Sequence, residues 1–499
     1  MKKRTCIALS VLLSAACVVA GGTVGKASQI RLRVGVISDI HITSAAQQPY
    51  FEKSLRTLDK WGVDGVLVCG DLADHGLVQQ LELVAESWFR VFPEGRGFDG
   101  REVVNLMHYG DHDMSSRFWN QETAKKAFPD EKLRRQGVLA NRNHAADWER
   151  CFREPWLPIQ HKKVKGYDFV LCHYTRAKDE RGRYNDSNTP GLVDFFKEHA
   201  FDRSRPIFVS QHRPPKGTIC GQQVIAAYNE DDGTSTSLYS QYPNLISFFG
   251  HLHRTATCEK SIWQGAFTCV HVPSLRYVCT RGGRENGYSI ADRPAYAPSL
   301  PAKLMPSIPS GRTHQGLFMA VSDDEVVFRR WDFEHDKSLG PNWVVPIASF
   351  KLPDNEKPFS PDRRAEKLPV PKFPEDAVIR VENAQRVVRA KTKCDVRIVS
   401  FPPVGATPGS VRADDYEVTV ELWHDDVVRT LCQKRVYSPR YFYGLDQETM
   451  RVECWFSKDE VPDGWMVRYV VRPSNAFGIK GDAIATQFSL AGGDNPTLE

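Results

Sequence analysis

From Ile30 to about Ser349, short apolar runs alternate with segments of helical period. Leu32–Ile37 reads as a strand, after which Phe51, Leu55, Leu58 and Trp61 recur at the spacing of one helix face. Val63–Cys69 predicts the next strand, and Leu77, Leu81, Val84, Trp88 and Phe89 predict a second amphipathic helix. Val103–Tyr109, Asp168–His173, Pro206–Ser210 and Leu245–Gly250 continue the series of short strands. Such β-α-β alternation implies parallel or mixed sheets covered by helices, an α/β domain. Gly316–Val321 and Val326–Trp331, separated by Ser-Asp-Asp-Glu, predict a hairpin that closes it.

The texture then changes. Between Lys351 and Pro374 six prolines are mixed with charged residues, the composition of a semi-rigid, extended linker. Beyond it Val396–Phe401, Tyr416–Trp423, Val427–Val436, Met450–Phe456, Trp465–Val471 and Ile484–Leu490 are short β runs parted by turn signals. Helical period is absent, so a β-sandwich of about a hundred residues fits. Asn475-Ala476-Phe477-Gly478 followed by Gly481 resembles the last hairpin of fibronectin-III-like modules. Trp423, Trp455 and Trp465 lie on these runs, where strand alternation predicts that most of them face the core. The expected division is a leader at 1–27, an α/β domain at 28–350, a linker at 351–375 and an all-β (fibronectin-III/Ig-like) domain at 376–492.

The first residues stand apart. Lys2, Lys3 and Arg4 precede an apolar stretch from Cys6 to Ala20, and small residues follow up to Ala27. A basic start, a short apolar core and a small-x-small site predict an export signal cleaved after Ala27. Cys17, behind Ser14-Ala15-Ala16, offers the competing reading of a lipid anchor, the one route by which a membrane becomes a partner. The expected location is periplasmic or extracellular. Cleavage removes Lys2, Lys3, Arg4 and Lys26 and no acid, which lowers the formal charge from +5 to +1. A nearly neutral chain without a basic run disfavours nucleic acid as main partner. Export permits disulfides, and one or two bridges among Cys220, Cys258, Cys269 and Cys279 are expected, whereas Cys69 and Cys172 end apolar runs and read as buried thiols.

Five motifs carry the chemistry. They are D-I-H at Asp39–His41, G-D-L-A-D at Gly70–Asp74, G-D-H-D at Gly110–Asp113, a lone His212 in S-Q-H-R-P-P, and G-H-L-H at Gly250–His253. Each follows an apolar run and so sits where a strand hands over to a loop, the place where α/β folds build sites. Aspartates and histidines without cysteine suit divalent ions such as Mn, Fe or Zn. Two ions sharing a carboxylate can clamp the attacking and leaving oxygens of an in-line displacement and ionise a bridging water near neutral pH.

The set resembles the calcineurin-like metallophosphoesterases, whose pattern is D-x-H, G-D-x-x-D, G-N-H-[DE], a separate His and G-H-x-H. The resemblance spans roughly residues 32–333. It implies a metallo-dependent phosphatase-like sandwich of mixed sheets flanked by helices, two divalent metal ions, and a small phosphate ester as substrate. By position, Asp39, His41 and His253 would hold the first metal, Asp71 would bridge, and Asp111, His212 and His251 would hold the second. His112 would be the general acid, with Asp113 behind it as an orienting carboxylate.

Asp111 departs from the family, which places Asn there. Its carboxylate adds a third negative charge to those of Asp39 and Asp71, which implies a harder or more highly charged metal and a higher pH optimum. Asp74 reads either as a carboxylate supporting the ligands or as a turn former. Arg213 and Arg254 read either as phosphate contacts or as solvated arginines. His75, His108, His173 and His271 read first as structural. The expected function is an exported dinuclear-metal phosphoesterase acting on mono- or diesters through a bridging hydroxide. The alternative is a non-catalytic or weakly active metal-binding surface protein whose C-terminal sandwich binds a partner or glycan.

Overall fold

The computed structural model describes residues 29–175, 189–218, 233–277, 314–387, 393–404, 412–438 and 451–492, with residue 231 and short strand pieces at 177–178, 184–185, 279–280 and 283–284. The leader, Cys17 and Cys220 lie outside these residues.

Two mixed sheets stack face to face. In the first, Leu32–Ile37, Gly65–Cys69 and Val104–His108 run parallel, and Gln315–Val321 pairs antiparallel with Leu32–Ile37. Glu325–Asp332 completes the expected hairpin with Gln315–Val321. In the second, Thr268–His271, Leu245–Phe249, Ile207–Gln211 and Tyr167–Cys172 are parallel neighbours, flanked by antiparallel Ile262–Gln264 and Ile159–Val164. The parallel strands are almost wholly buried, which is why they read as apolar runs. Val34, Val36, Leu67 and Leu106 meet Phe169, Leu171, Phe208, Ile246 and Phe248 between the sheets. Outside the first sheet, helices Gln48–Lys60 and Val78–Val91 bring Phe51, Leu55, Leu58, Leu81, Val84 and Trp88 onto Val66, Val68 and Met107. Leu192, Phe196, Leu238 and Tyr239 cover the second. Each such side chain contributes roughly 1.5–3 kcal/mol.

Parallel strands align their carboxyl ends. Those of Leu32–Ile37, Gly65–Cys69, Val104–His108, Ile207–Gln211 and Leu245–Phe249 each lead into one of the five motifs. The fold therefore delivers all five loops to one edge of the sandwich.

The linker departs from expectation. Residues 351–375 are not an extended spacer: short 3-10 turns occupy Ile347–Lys351 and Asp354–Glu356, and a helix spans Pro361–Lys367. Pro361 takes the first helical turn, where its missing N–H goes unneeded. The segment is fastened to the α/β domain. The Phe359 N–H donates to Gln264 Oε1 at 3.1 Å and the Gln264 N–H to the Phe359 carbonyl at 3.0 Å. Arg364 pairs with Glu259 and lies 5.6 Å from the ring of Phe477 in the C-terminal region.

That region consists of two antiparallel sheets. One orders Arg380–Val387, Lys393–Phe401 and Val452–Ser457; the other is built on Val427–Tyr437, Asp415–His424 and Met466–Ser474. Val399, Phe401, Cys454 and Phe456 pack on Tyr416, Val418, Val420, Val467, Tyr469 and Val471. The run Ile484–Leu490 forms two short strands, Ile484–Ala485 and Ser489–Leu490, rather than one. Of the three tryptophans only Trp455 is buried; Trp423 is 46 % and Trp465 41 % exposed. Trp423 lies beside the Asp425-Asp426 turn, with its ring 5.6 Å from that of Phe488, and Trp465 lies just before its strand.

Cys269, expected near a bridge, is a buried unbridged thiol on Thr268–His271, and burial pushes it up to about 12. The side chain of Cys279 falls outside the described residues. Cys69 is a buried thiol, as its place at a strand end predicts.

Candidate dinuclear metal centre

The five loops converge on two groups of side chains. Asp39, His41, Asp71 and His253 form one, and Asp71, Asp111, His212 and His251 the other, each with its ligand atoms within 4.8 Å of one another. Asp71 belongs to both. Its Oδ2 lies 3.4 Å from His41 Nε2 and 3.2 Å from His212 Nε2, while its Oδ1 accepts the His112 backbone N–H at 2.9 Å. In the first group His253 Nε2 stands 3.0 Å from Asp39 Oδ1 and 3.2 Å from His41 Nε2. In the second, Asp111 Oδ1 is 3.0 Å from both His212 Nε2 and His251 Nδ1.

The ring partners decide which nitrogen is free to ligate. His41 Nδ1 faces Asp74 Oδ1 at 3.0 Å, His212 Nδ1 faces the Cys69 carbonyl at 2.7 Å, and His253 Nδ1 faces the Tyr277 carbonyl at 3.0 Å. Each acceptor holds a proton on Nδ1, which leaves Nε2 aimed at the cluster as the nitrogen that would ligate, the arrangement of metal-bound imidazoles. Asp111 Oδ1 and His212 Nε2 are buried without a hydrogen-bond partner although they face each other. Buried polar atoms are rarely left so. The donor set and its unsatisfied atoms fit divalent cations.

The backbone is bent to make this possible. Asp39, His41, Asp71, His251 and His253 have φ of 51°, 45°, 53°, 65° and 49°. The left-handed region costs a residue with a Cβ about 1 kcal/mol or more, and such strain gathers where function demands it. The motif glycines have a steric cause: a Cβ on Gly110 would stand 2.2 Å from Asp71 Oδ1, and one on Gly250 would stand 1.9 Å from Ser38 Oγ.

Electrostatics reflect a site built for cations. Burial opposes charge on His41, yet the carboxylates of Asp39, Asp74 and Asp71 push its imidazole up to about 10. Burial likewise opposes charge on Asp39 and Asp111, but neighbouring imidazoles hold both well below the usual carboxylate range.

His112 sits at the rim, one-fifth exposed. Its Nδ1 lies 2.7 Å from the Asp74 carbonyl, and its ring stacks on Phe118 at 4.4 Å and meets His41 edge-on at 4.5 Å. Asp113 is not the group that orients it. The Asp113 carboxylate is fully buried and accepts the backbone N–H groups of Leu72 at 3.1 Å, Ala73 at 2.7 Å and Gly110 at 2.7 Å. Successive side chains on the short helix Asp111–Met114 diverge by roughly 100°, which turns Asp113 inward when His112 faces the cleft. Burial, and then the charge of Asp71, pushes the Asp113 carboxyl up to about 7 against the pull of those N–H groups. It ties the second motif to the third.

Orientation falls instead to Asp74, which touches His41 through its carboxylate and His112 through its carbonyl. Tyr277, stacked on His253 at 4.2 Å, and Phe118 carry no sequence signal, since lone aromatics in loops look alike. Arg213 forms an ion pair with Asp111 Oδ2 at 3.5 Å. Arg254 is buried. His108 lies between Ser210 Oγ and the Tyr109 carbonyl, His75 between Thr123 Oγ1 and Gln80, and His173 accepts the Tyr109 N–H; His271 is buried on its strand. These four belong to the framework.

Residues 32–255 match the sequence model of the calcineurin-like phosphoesterases. No curated protein matches the chain. Among solved structures, a dimetal phosphatase from Danio rerio aligns at 9 % identity and a TM-score of 0.35, over 64 % of this chain and 100 % of that one. A purple acid phosphatase from yellow lupin seeds aligns at 13 % identity and a TM-score of 0.39, over 64 % and 54 %. The family match and the converging ligands agree: residues 32–255 match a calcineurin-like phosphoesterase domain, and Asp and His side chains within it form a candidate dinuclear metal centre.

Proposed function

We propose that the protein is an exported dinuclear phosphoesterase that hydrolyses small phosphate mono- or diesters, with His112 as general acid. The observation that carries this reading is the shared carboxylate. Asp71 Oδ2 stands within 3.4 Å of an imidazole from each ligand group, with His112 on the neighbouring loop. Asp39, His41, Asp71 and His253 would hold one divalent ion, and Asp71, Asp111, His212 and His251 the other, with Mn, Fe or Zn suited to the O/N donors. Such a pair, when bound, supplies Lewis acidity toward phosphoryl oxygens and an acidified water.

The chain's own groups do the rest. The Asp74 carbonyl accepts the hydrogen bond of His112 Nδ1–H, which leaves Nε2–H to donate to the leaving oxygen. Stacking on Phe118 fixes the plane in which that proton is offered. Asp113 holds the loops of the second and third motifs at a constant separation through its three N–H acceptances. Export is supported by the basic residues, apolar core and small-x-small site of the first 27 residues.

Purified mature protein should cleave chromogenic phosphate esters, and metal should be required. Mono- and diester substrates assayed after chelation and after Mn²⁺ addition test both points and rank the substrate classes. Equal turnover in chelated and reloaded protein would refute the proposal. Expression of the full chain should yield a processed form beginning at Ser28, read by N-terminal sequencing.

A further inference from the structure

The departure at Asp111 has a partner. Asp111 turns Oδ1 toward His212 and His251, at 3.0 Å from each, and Oδ2 toward the guanidinium of Arg213 at 3.5 Å. Arg213 is 7 % exposed, and its guanidinium lies 5.0 Å from the Tyr174 ring centre, which fixes its position. Both ends of the pair are thus withdrawn from water, where an ion pair is little screened.

The geometry points to Arg213 as the charge partner of Asp111. On this reading, which rests on the two-metal site above, the two residues are one replacement for a neutral amide ligand. The carboxylate adds a negative charge to the cluster and the guanidinium removes it. Chemistry makes each residue dictate the other. An asparagine side chain in place of Asp111 has one oxygen and one NH₂ group. Oxygen toward His212 and His251 would set NH₂ against a guanidinium, donor against donor. The flipped amide would satisfy Arg213 and present NH₂, which has no lone pair to give, to the metal. A carboxylate alone serves both directions. Arg213 is therefore a positioning residue: it orients Asp111 and keeps its charge from over-neutralising the second ion. The harder metal and higher pH optimum that an unpaired third carboxylate implies are then not expected.

A double-mutant cycle read by Mn²⁺ titration tests this, with wild type, D111N, R213M and D111N/R213M in the mature protein. Wild type should take up two Mn²⁺. D111N should bind the second about tenfold more weakly, because a buried guanidinium loses its carboxylate partner, and R213M should bind it more tightly, because Asp111 keeps its full charge. D111N/R213M should recover most of the loss, since the introduced amide is then free to turn its oxygen to the metal. R213K, which retains the charge, should bind both ions nearly as wild type, and Tm values separate misfolding from weakened binding. Two ions in wild type with D111N/R213M no better than D111N would overturn the pairing alone. Fewer than two ions in wild type would overturn the two-metal reading and the pairing with it.

Discussion

Buried charge is handled in two ways in this molecule. In the C-terminal sheets each buried cation has its own anion: Arg435 with Asp415 and Ser474, Lys434 with Glu460 at 2.8 Å, Arg397 with Asp463. Lys434 spends a further proton on the Trp455 carbonyl at 2.7 Å. Nothing in these clusters asks for an added ion. At the strand tips of the α/β domain, three carboxylates face four imidazoles whose ring nitrogens converge, and the guanidinium of Arg213 is paired to them through Asp111. Burial of ionisable groups is common to both regions and marks neither as a site. Convergence of ligand atoms around a shared carboxylate marks the second.

Substitutions that remove one carboxylate should separate the regions most sharply. Asp71→Asn should lower kcat/KM by about a thousandfold or more, the scale of losing preorganised electrostatic stabilisation, with Tm little changed. Asp415→Asn should do the reverse, leaving kcat/KM intact while costing about 3–5 kcal/mol of stability, because Arg435 loses its buried partner. Chromogenic turnover and denaturant unfolding on both variants check the contrast.

His112→Asn should lower kcat by about 10²–10⁴-fold while both ions stay bound. Loss of bound metal in that variant would move His112 from proton donor to ligand.

Proton release sharpens the comparison further. In the metal-free fold the His41 imidazole titrates at about 10, pushed there by carboxylates against burial. To ligate through Nε2 it must give up that proton, so metal uptake releases protons and weakens as pH falls. The sign is opposite for the metal-free protein: a raised imidazole stabilises it fully below the unfolded pKa of about 6.5 and loses that stabilisation toward 10. The Tm gain on adding Mn²⁺ should therefore be larger at pH 8 than at pH 6, with affinity changing about tenfold per pH unit for each proton displaced. Differential scanning at the two pH values reads it directly.

Asp74→Asn should have the smallest effect, about 10–100-fold on activity or metal affinity, because it releases the orientation of His41 without removing a ligand. The hydrogen bond of His112 to the Asp74 backbone carbonyl should survive.

Much of the frame was legible because parallel strands buried on both faces leave unbroken apolar runs, as at Gly65–Cys69 and Leu245–Phe249. The ligands were legible because each motif stands directly behind such a run. What could not be read is set by contacts distant in sequence. Whether Asp113 or Asp74 supports His112 depends on rotation about a short helix. The left-handed backbone at Asp39, His41, Asp71, His251 and His253 shows no glycine to announce it. The pairing of Arg213 with Asp111 crosses two loops. Arg380–Val387 has no apolar run to mark it as a strand, because its exposed positions carry Arg, Glu, Asn and Gln. Composition gives the proline-bearing segment the look of a spacer, and its docking on Gln264 and Glu259 is a matter of tertiary partners.

Whether two ions share the Asp71 carboxylate is tested most directly by electron paramagnetic resonance of Mn²⁺-loaded protein. Wild type should show the signal of an exchange-coupled Mn²⁺ pair, and Asp71→Asn should lose it. Uncoupled six-line signals in wild type at full loading would contradict the account.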